Sequence, residues 1–255
     1  MEELRLDLAL KLKSVRVMTF NIRHGRGVDN EINLPRIARV IQDAGAEVVA
    51  LNEVDRRTRR SGGVDQVEEL ANLLGMEYAF SPSIEYQGGQ YGNAVLSRWP
   101  IEAAHVYKLP ELGPEVRTLL YARIAWDSEP LHCFVTHLGL CDDEQRAQLR
   151  QIAKVLEATP GPKILAGDFN FDASLVDWLN ELPATMRELW TLQQRERLFA
   201  HHNGLSGNTF PSRDPKKRID YILASEELEL AEPVLPVHTL ASDHLPVVGT
   251  LARRM

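Results

Sequence analysis

The strongest constraint in this chain is a repeated ending. Short apolar runs stop again and again on a residue able to hold a metal ion or a proton. Val-Met-Thr-Phe leads into Asn21, and Val-Val-Ala-Leu into Asn52 and Glu53. Phe-Val-Thr leads into His137, and Ile-Leu-Ala-Gly into Asp168 and, two residues on, Asn170. Ile219 precedes Asp220, and Ser242, Asp243 and His244 precede a Leu-Pro-Val run. Runs rich in Val, Ile, Leu and Phe over this length suit buried strands. A buried strand that ends in a carboxylate or imidazole is costly unless the group is paired or binds a metal. Each ending alone has an ordinary explanation, since Asn and Asp after a strand usually serve a turn. Six together point to one shared mouth at an edge of packed sheets.

The same runs set the architecture. Strands are predicted over residues 15–20, 47–51, 93–97, 118–126, 131–136, 163–166, 219–223 and 247–251. Three amphipathic helices stand between them. Ile37, Val40, Ile41 and Ala44 share one helical face, with Asn33 as N-cap and Gly45 as stop. Val67, Leu70, Ala71 and Leu74 repeat the spacing, and Gly75 ends it. Leu149, Ile152, Ala153 and Leu156 repeat it again. Asp142 with Gln145 reads as a capping box at the start of that helix, and Pro160-Gly161-Pro162 closes it. Residues 56–63, 81–92, 109–115 and 203–217 read as polar loops. No linker composition and no internal repeat divides the chain. Residues 1–255 are therefore read as one α/β domain, two packed sheets flanked by helices, and that length suits a single large core.

Composition narrows the function classes. The formal net charge of −7 argues against tight, nonspecific duplex binding, which relies on a basic face. Cys133 and Cys141 are the two cysteines, too few for a disulfide framework or a zinc cluster, and Cys133 reads as a small core residue. No segment approaches the roughly 20 apolar residues of a membrane span. Residues 1–13 carry charge throughout and do not read as a signal peptide. A cytoplasmic monomer is the expectation.

Seven short motifs occur in order: Phe-Asn-Ile-Arg-His-Gly (20–25), Leu-Asn-Glu-Val (51–54), Tyr-Gly-Asn-Ala-Val-Leu-Ser (91–97), Val-Thr-His-Leu (135–138), Gly-Asp-Phe-Asn (167–170), Arg-Ile-Asp-Tyr-Ile (218–222) and Ser-Asp-His-Leu-Pro-Val (242–247). The ordered set resembles the endonuclease/exonuclease/phosphatase family, which includes pancreatic-type DNases, abasic-site endonucleases, neutral sphingomyelinases and inositol polyphosphate 5-phosphatases. The resemblance covers nearly the whole chain. It implies a four-layer α/β/β/α sandwich of two mixed sheets, a site at one edge of both sheets, and dependence on Mg²⁺ or Mn²⁺. Thr-His-Leu stands where the abasic-endonuclease branch has a tyrosine-containing motif, which argues against abasic-site repair.

Phosphoester hydrolysis needs charge neutralised on the phosphoryl oxygens, water activated in line, and the leaving oxygen stabilised. On the resemblance, Glu53 is the expected metal ligand, with Asn21 orienting it or touching the metal and Asp243 binding metal or holding the histidine loop. A hard divalent ion takes oxygen ligands and keeps several waters, so one or two carboxylates suffice. Asp168 activates or positions water, and Asn170 donates to a phosphate oxygen without adding negative charge. His244 pairs with Asp220, and His137 faces the phosphate from the other side. Arg117 offers a guanidinium fork to the phosphate. Asn93 contributes to the floor, and Arg23 and His24 line the mouth as substrate-specific candidates. Arg56, Arg57, Arg59 and Arg60 form a basic cluster after Glu53 and lack interleaved aromatics. Lys216 and Lys217 read as a solvated loop, Arg218 less so. The expected activity is metal-assisted hydrolysis of a phosphodiester or phosphomonoester, on a small molecule, lipid head group or nucleic acid. A nuclease is the alternative, and a non-catalytic binding module on the same fold is disfavoured because every core residue is present. Which histidine acts as acid, and whether one or two metal ions bind, stay open.

Overall fold

The computed structural model describes residues 14–172, 177–199 and 206–254. The reading of residues 1–13 and the start of the 203–217 loop fall outside these. Two six-stranded mixed sheets pack face to face. The first contains β1 (Ser14–Asn21), β2 (Val48–Arg56), β3 (Glu77–Tyr86), β4 (Gly89–Ser97), β11 (Leu228–Pro236) and β12 (Val247–Arg253), in the order β11-β12-β1-β2-β4-β3. The second contains β5 (Ile101–Lys108), β6 (Thr118–Ile124), β7 (Leu131–His137), β8 (Lys163–Asp168), β9 (Met186–Glu188) and β10 (Asp220–Ser225), in the order β5-β6-β7-β8-β10-β9. Each sheet has one parallel pair, β1 with β2 and β7 with β8; the other pairings are antiparallel.

Apolar side chains fill three layers. Val17, Val48 and Val95 meet Val135, Ile164 and Ile222 between the sheets. Helices α1 (Leu34–Asp43) and α2 (Gln66–Leu74) cover the first sheet, packing Ile37, Ile41 and Leu70 with Met18, Leu51 and Leu96. Helix α3 (Asp142–Glu157) covers the second, packing Leu149, Ile152 and Leu156 with Phe134 and Leu165. The result is the four-layer α/β/β/α sandwich. Strands buried on both faces show continuous apolar runs, which is why they were legible. Among the described residues no helix is long and apolar enough to cross a membrane.

Helix ends agree with the sequence at several places, Gly45 stopping α1 at φ 65° among them. Asn33 caps α1, its side chain accepting from Arg36 N, and Gly75 ends α2 in the left-handed conformation with φ 64°. The capping box at Asp142 does not form. Cys141 is the N-cap, without a side-chain bond, and Gln145 Nε2 donates instead to the carbonyls of Gly139 and Phe169. The 81–92 segment is not a loop but the β3–β4 hairpin, with Ile84 opposite Tyr91. Besides β3 and the three-residue β9, three elements lie outside the predicted set for related reasons. Edge strand β5 is largely exposed, β11 is irregular, and the short helix α4 (Leu189–Arg195) lacks a repeating apolar face.

Gly167 in Gly-Asp-Phe-Asn is required by contact. A Cβ there would stand 1.9 Å from the Thr136 carbonyl oxygen of the parallel neighbour β7. Gly167→Ala is expected to destabilise the fold by about 1–3 kcal/mol through backbone displacement. Denaturant unfolding checks this, and an unchanged midpoint contradicts it.

Candidate active site

The two parallel pairs explain why the polar endings converge. Parallel strands finish at the same edge, so Asn21 lies in register with Asn52, and His137 with Asp168. Antiparallel β10 begins where β8 stops, placing Asp220 opposite Asp168. Glu53 reaches the same edge by a bulge. The β2–β4 register shifts between Leu51 and Val54, and Glu53 adopts a left-handed backbone with φ 58°. Such a conformation costs about 1–2 kcal/mol in a non-glycine residue and redirects the side chain.

Buried amides join the endings. Asn52 Nδ2 donates to Asn93 Oδ1 at 2.8 Å and to the Thr136 carbonyl at 2.9 Å, while its Oδ1 accepts from Asp168 N at 2.9 Å. Asn93 donates in turn to the Thr118 carbonyl, so its amide is spent on the floor of the site. Asn21 Nδ2 donates to Glu53 Oε1 at 3.1 Å and to Asp168 Oδ2 at 3.0 Å, and its Oδ1 accepts from Arg23 N. The amide of Asn21 therefore orients two carboxylates. Asn170, left-handed at φ 56°, donates its N–H to Asp168 Oδ1 and its side-chain amide to the Leu138 carbonyl. The Asx turn is present, and the side-chain amide expected to meet a phosphate oxygen has the Leu138 carbonyl as its partner.

Asp168 is 1% exposed and lies between the two histidines, with Oδ2 at 3.4 Å from His137 Nε2 and 3.7 Å from His244 Nε2. His244 Nδ1 lies 2.9 Å from Asp220 Oδ2. Ser242 Oγ fixes this last loop by donating to the Asn21 carbonyl at 2.7 Å. The two imidazoles are driven apart in charge. Burial opposes a proton on His244, but the carboxylates of Asp220 and Asp168 outweigh it and raise its pKa to about 10. Burial, with the nearby charges of Arg117 and His244, holds His137 well below the ordinary histidine range. Burial pushes the Asp168 carboxyl up to about 7, against the charge of His244. Burial also raises Glu53, partly offset by the Asn21 hydrogen bond.

The remaining candidates separate. Arg117 is buried, pairs with Glu115 at 2.9 Å, and keeps an unpartnered Nε. Arg23 lies at the rim, its Nε 3.3 Å from Asp243 Oδ2. His24 sits apart from the hub, in the field of Arg60 and Asp55, and burial lowers it to about 4. The basic cluster divides, with Arg57 and Arg59 exposed and Arg56 and Arg60 held by partners. Arg56 pairs with Asp65, and Arg60 forks onto Asp55 and stacks over Tyr86 and Tyr91. Arg218 pairs with Glu188 and lies over Tyr221, and Lys216 pairs with Asp214 in solvent. Two members had no role assigned from the sequence. Asn52 ties the sheets together, and Tyr91 is buried near Glu53, its phenol held protonated by burial and by that carboxylate. The signal for Asn52 was present: an amide directly after four apolar residues cannot stay unpartnered.

The sequence profile of the Endonuclease/Exonuclease/phosphatase family matches residues 18–244. This chain belongs to that family. The Escherichia coli K12 protein YbhP is 29% identical over 248 residues, covering 92% of this chain and 94% of YbhP. A family structure from Beutenbergia cavernae superposes with TM-score 0.71 at 26% identity, covering 94% of this chain and 72% of that one. A mannosyl-6-phosphatase of Bacteroides thetaiotaomicron shares the fold, with TM-score 0.74 at 15% identity over 93% of this chain and 99% of its own. Members of the family are hydrolases acting on phosphoesters and generally depend on a divalent metal.

The donor set fits such an ion. Asp168, Asp220 and His244 bring ligand atoms within 4.8 Å of one another, but the imidazole there is already paired with Asp220. The Glu53 carboxylate accepts from Asn21, is raised by burial, and faces Asp243 across the mouth. Buried Asp220 Oδ1 and Arg117 Nε lack partners. Hard oxygen donors with uncompensated charge suit a divalent cation better than an apolar ligand.

Asp220→Asn tests the charge separation. The raised His244 supports the fold fully below the ordinary value of 6.5, and that support fades as pH rises through about 10. In an NMR titration of the metal-free protein, Asp220→Asn should move the His244 pKa from about 10 down toward 6.5. A His244 that titrates unchanged contradicts the assignment.

Proposed function

We propose that this protein is a divalent-metal-dependent hydrolase of phosphoesters, with residues 1–255 acting as one catalytic domain. The observation that carries the reading is the Asp168 carboxylate, which accepts hydrogen bonds from Asn21 Nδ2 and Asn170 N–H on a backbone whose own N–H donates to Asn52, and which lies between a neutral and a protonated imidazole. A divalent ion held by Glu53, with Asp243 opposite, would supply positive charge to the phosphoryl oxygens. Asp168, once ionised, orients water and accepts its proton in line with the phosphorus. Protonated His244, held by Asp220, binds a phosphoryl oxygen, and His137 faces it as a neutral hydrogen-bond partner. The free edge of Arg117 adds a fixed cation, and Asn21 keeps Glu53 and Asp168 in place.

A phosphodiesterase or phosphatase is favoured over a nuclease. A duplex groove needs a continuous track of free guanidinium groups; Arg57 and Arg59 are exposed, but Arg56, Arg60 and Arg218, which would extend them toward Asp220, are paired within the protein. The net charge of −7 points the same way.

Purified protein assayed on bis-p-nitrophenyl phosphate and p-nitrophenyl phosphate, with Mg²⁺, Mn²⁺ or EDTA, tests the proposal. Metal-dependent turnover should fall about 10²–10⁴-fold in Asp168→Asn, the range for losing a positioned proton acceptor. Turnover should also decline below about pH 7, where Asp168 takes up its proton. Equal activity in EDTA, or near wild-type activity in Asp168→Asn, sinks the proposal.

A further inference from the structure

Three polar side chains near the start of α3 are buried: Glu144, Gln145 and Gln148. A polar side chain on the core face of a helix is costly unless its donors and acceptors are used. Here they are spent on the loops that carry the site. Gln145 Nε2 donates to the Gly139 carbonyl at 2.7 Å and to the Phe169 carbonyl at 3.4 Å. Gln148 Oε1 accepts from Gly139 N at 2.9 Å. Its Nε2 donates to the Pro110 carbonyl at 3.1 Å and to Glu144 Oε1 at 3.2 Å. One amide thus joins the loop that follows His137 to the loop that ends at Arg117.

The two loops differ in what else holds them. The first is tied to the neighbouring strand end, Leu138 N donating to the Asp168 carbonyl and the Leu138 carbonyl accepting from Asn170 Nδ2. The second, between β5 and β6, closes its neck by Leu109 N to the Arg117 carbonyl at 3.0 Å. Beyond that neck, and among the described residues, the only hydrogen bond reaching residues 110–116 from the rest of the protein is the one from Gln148 to Pro110. The β6–β7 ladder stops at Leu119 and Thr136, short of both Arg117 and His137. Packing reinforces the amide. Gly113 and Gly139, one on each loop, both close on Glu144, where a Cβ would stand 2.3 Å and 1.9 Å from Oε2. The charged group that depends on this clasp is Arg117, whose charge reaches His137 and Glu53 and whose Nε is unpartnered.

We propose that Gln148 is a positioning residue: through Pro110 it sets the Arg117 loop against the His137 loop, and so fixes where the Arg117 guanidinium meets a phosphoryl oxygen. The proposal rests on the phosphoester reading and concerns the same mouth. Gln148 itself touches no substrate; it acts through Arg117. A guanidinium is a planar fork, and its bonds to a phosphoryl group tolerate little displacement. A misplacement of about 1 Å caused far from the reacting atoms can cost about 100-fold in rate. A primary amide suits the post because it accepts from one loop and donates to the other, without placing a charge in the core. Methionine has similar length and volume and lacks the donor.

The test is a double-mutant cycle on the full chain: wild type, Gln148→Met, Arg117→Met and the two combined. Gln148→Glu, which keeps the acceptor for Gly139 and loses the donor to Pro110, stands in should Gln148→Met fail to fold. Two quantities are read. One is kcat/KM on bis-p-nitrophenyl phosphate with Mg²⁺. The other is the affinity of the metal-free protein for orthophosphate by calorimetry. In the wild-type background, Gln148→Met should lower kcat/KM about 10–100-fold and orthophosphate affinity about tenfold. In the Arg117→Met background the same change should alter either by no more than about twofold, because the group being positioned is gone. A general loosening of the fold would instead cost the same in both backgrounds, and that additivity overturns the proposal. Wild-type values in Gln148→Met overturn it too; both results leave the phosphoester reading intact if wild type turns over. Coupled loss of orthophosphate binding, with no metal-dependent turnover by wild type, keeps the positioning role and sinks the phosphoester reading. Absence of both turnover and orthophosphate binding in wild type overturns both.

Discussion

The backbone N–H of Asp168 donates to the side-chain oxygen of Asn52, and this bond crosses from one sheet to the other at the point where both stop. The same amide gives its protons to Asn93 and to the Thr136 carbonyl. A buried polar group left without a partner costs about 1–3 kcal/mol, so the three bonds are mutually enforcing. They fix the separation of the sheets at the mouth. The distances among Asp168, His137, His244 and Glu53 follow from that separation and from the parallel pairs that end there.

Charge is the second constraint. Four carboxylates, Glu53, Asp168, Asp220 and Asp243, gather at one edge with Arg117, Arg23 and the imidazole of His244. Burial penalises ionised groups, and here it pushes Asp168 and Glu53 up while Asp220 and Asp168 keep His244 protonated. Two histidines that face the same carboxylate consequently carry different protonation states. That asymmetry is in line with the proposed contact of a protonated His244 with a phosphoryl oxygen. The left-handed backbone at Glu53 and Asn170 shows that the fold tolerates local strain to aim these groups.

Much of this was legible in the sequence. Strands buried on both faces announce themselves as apolar runs, and a polar residue at the end of such a run must have a purpose. Asn21, Glu53, His137, Asp168, Asp220 and His244 were all found by that rule. What was hidden depends on partners distant in the chain. Edge strands β3 and β5 face solvent and lack a dense apolar pattern. Arg56 and Arg60 look like an anion-gathering loop until Asp65 and Asp55 are seen to hold them. His24 adjoins Arg23 in sequence, yet consecutive left-handed residues send the two side chains to different surroundings. Asn52 was visible as a strand ending, but its bridging role exists only across two sheets.

The central claim is that one mouth holds a cation on the Glu53 side and a phosphoryl group between the two histidines. A crystal structure of the protein with Mn²⁺ and orthophosphate, phased to show anomalous signal, tests it most directly. The account predicts an anomalous peak against the Glu53 carboxylate, with phosphate contacting His137, His244 and Arg117. A peak seated between Asp220 and His244, with the His244–Asp220 hydrogen bond broken, would contradict it.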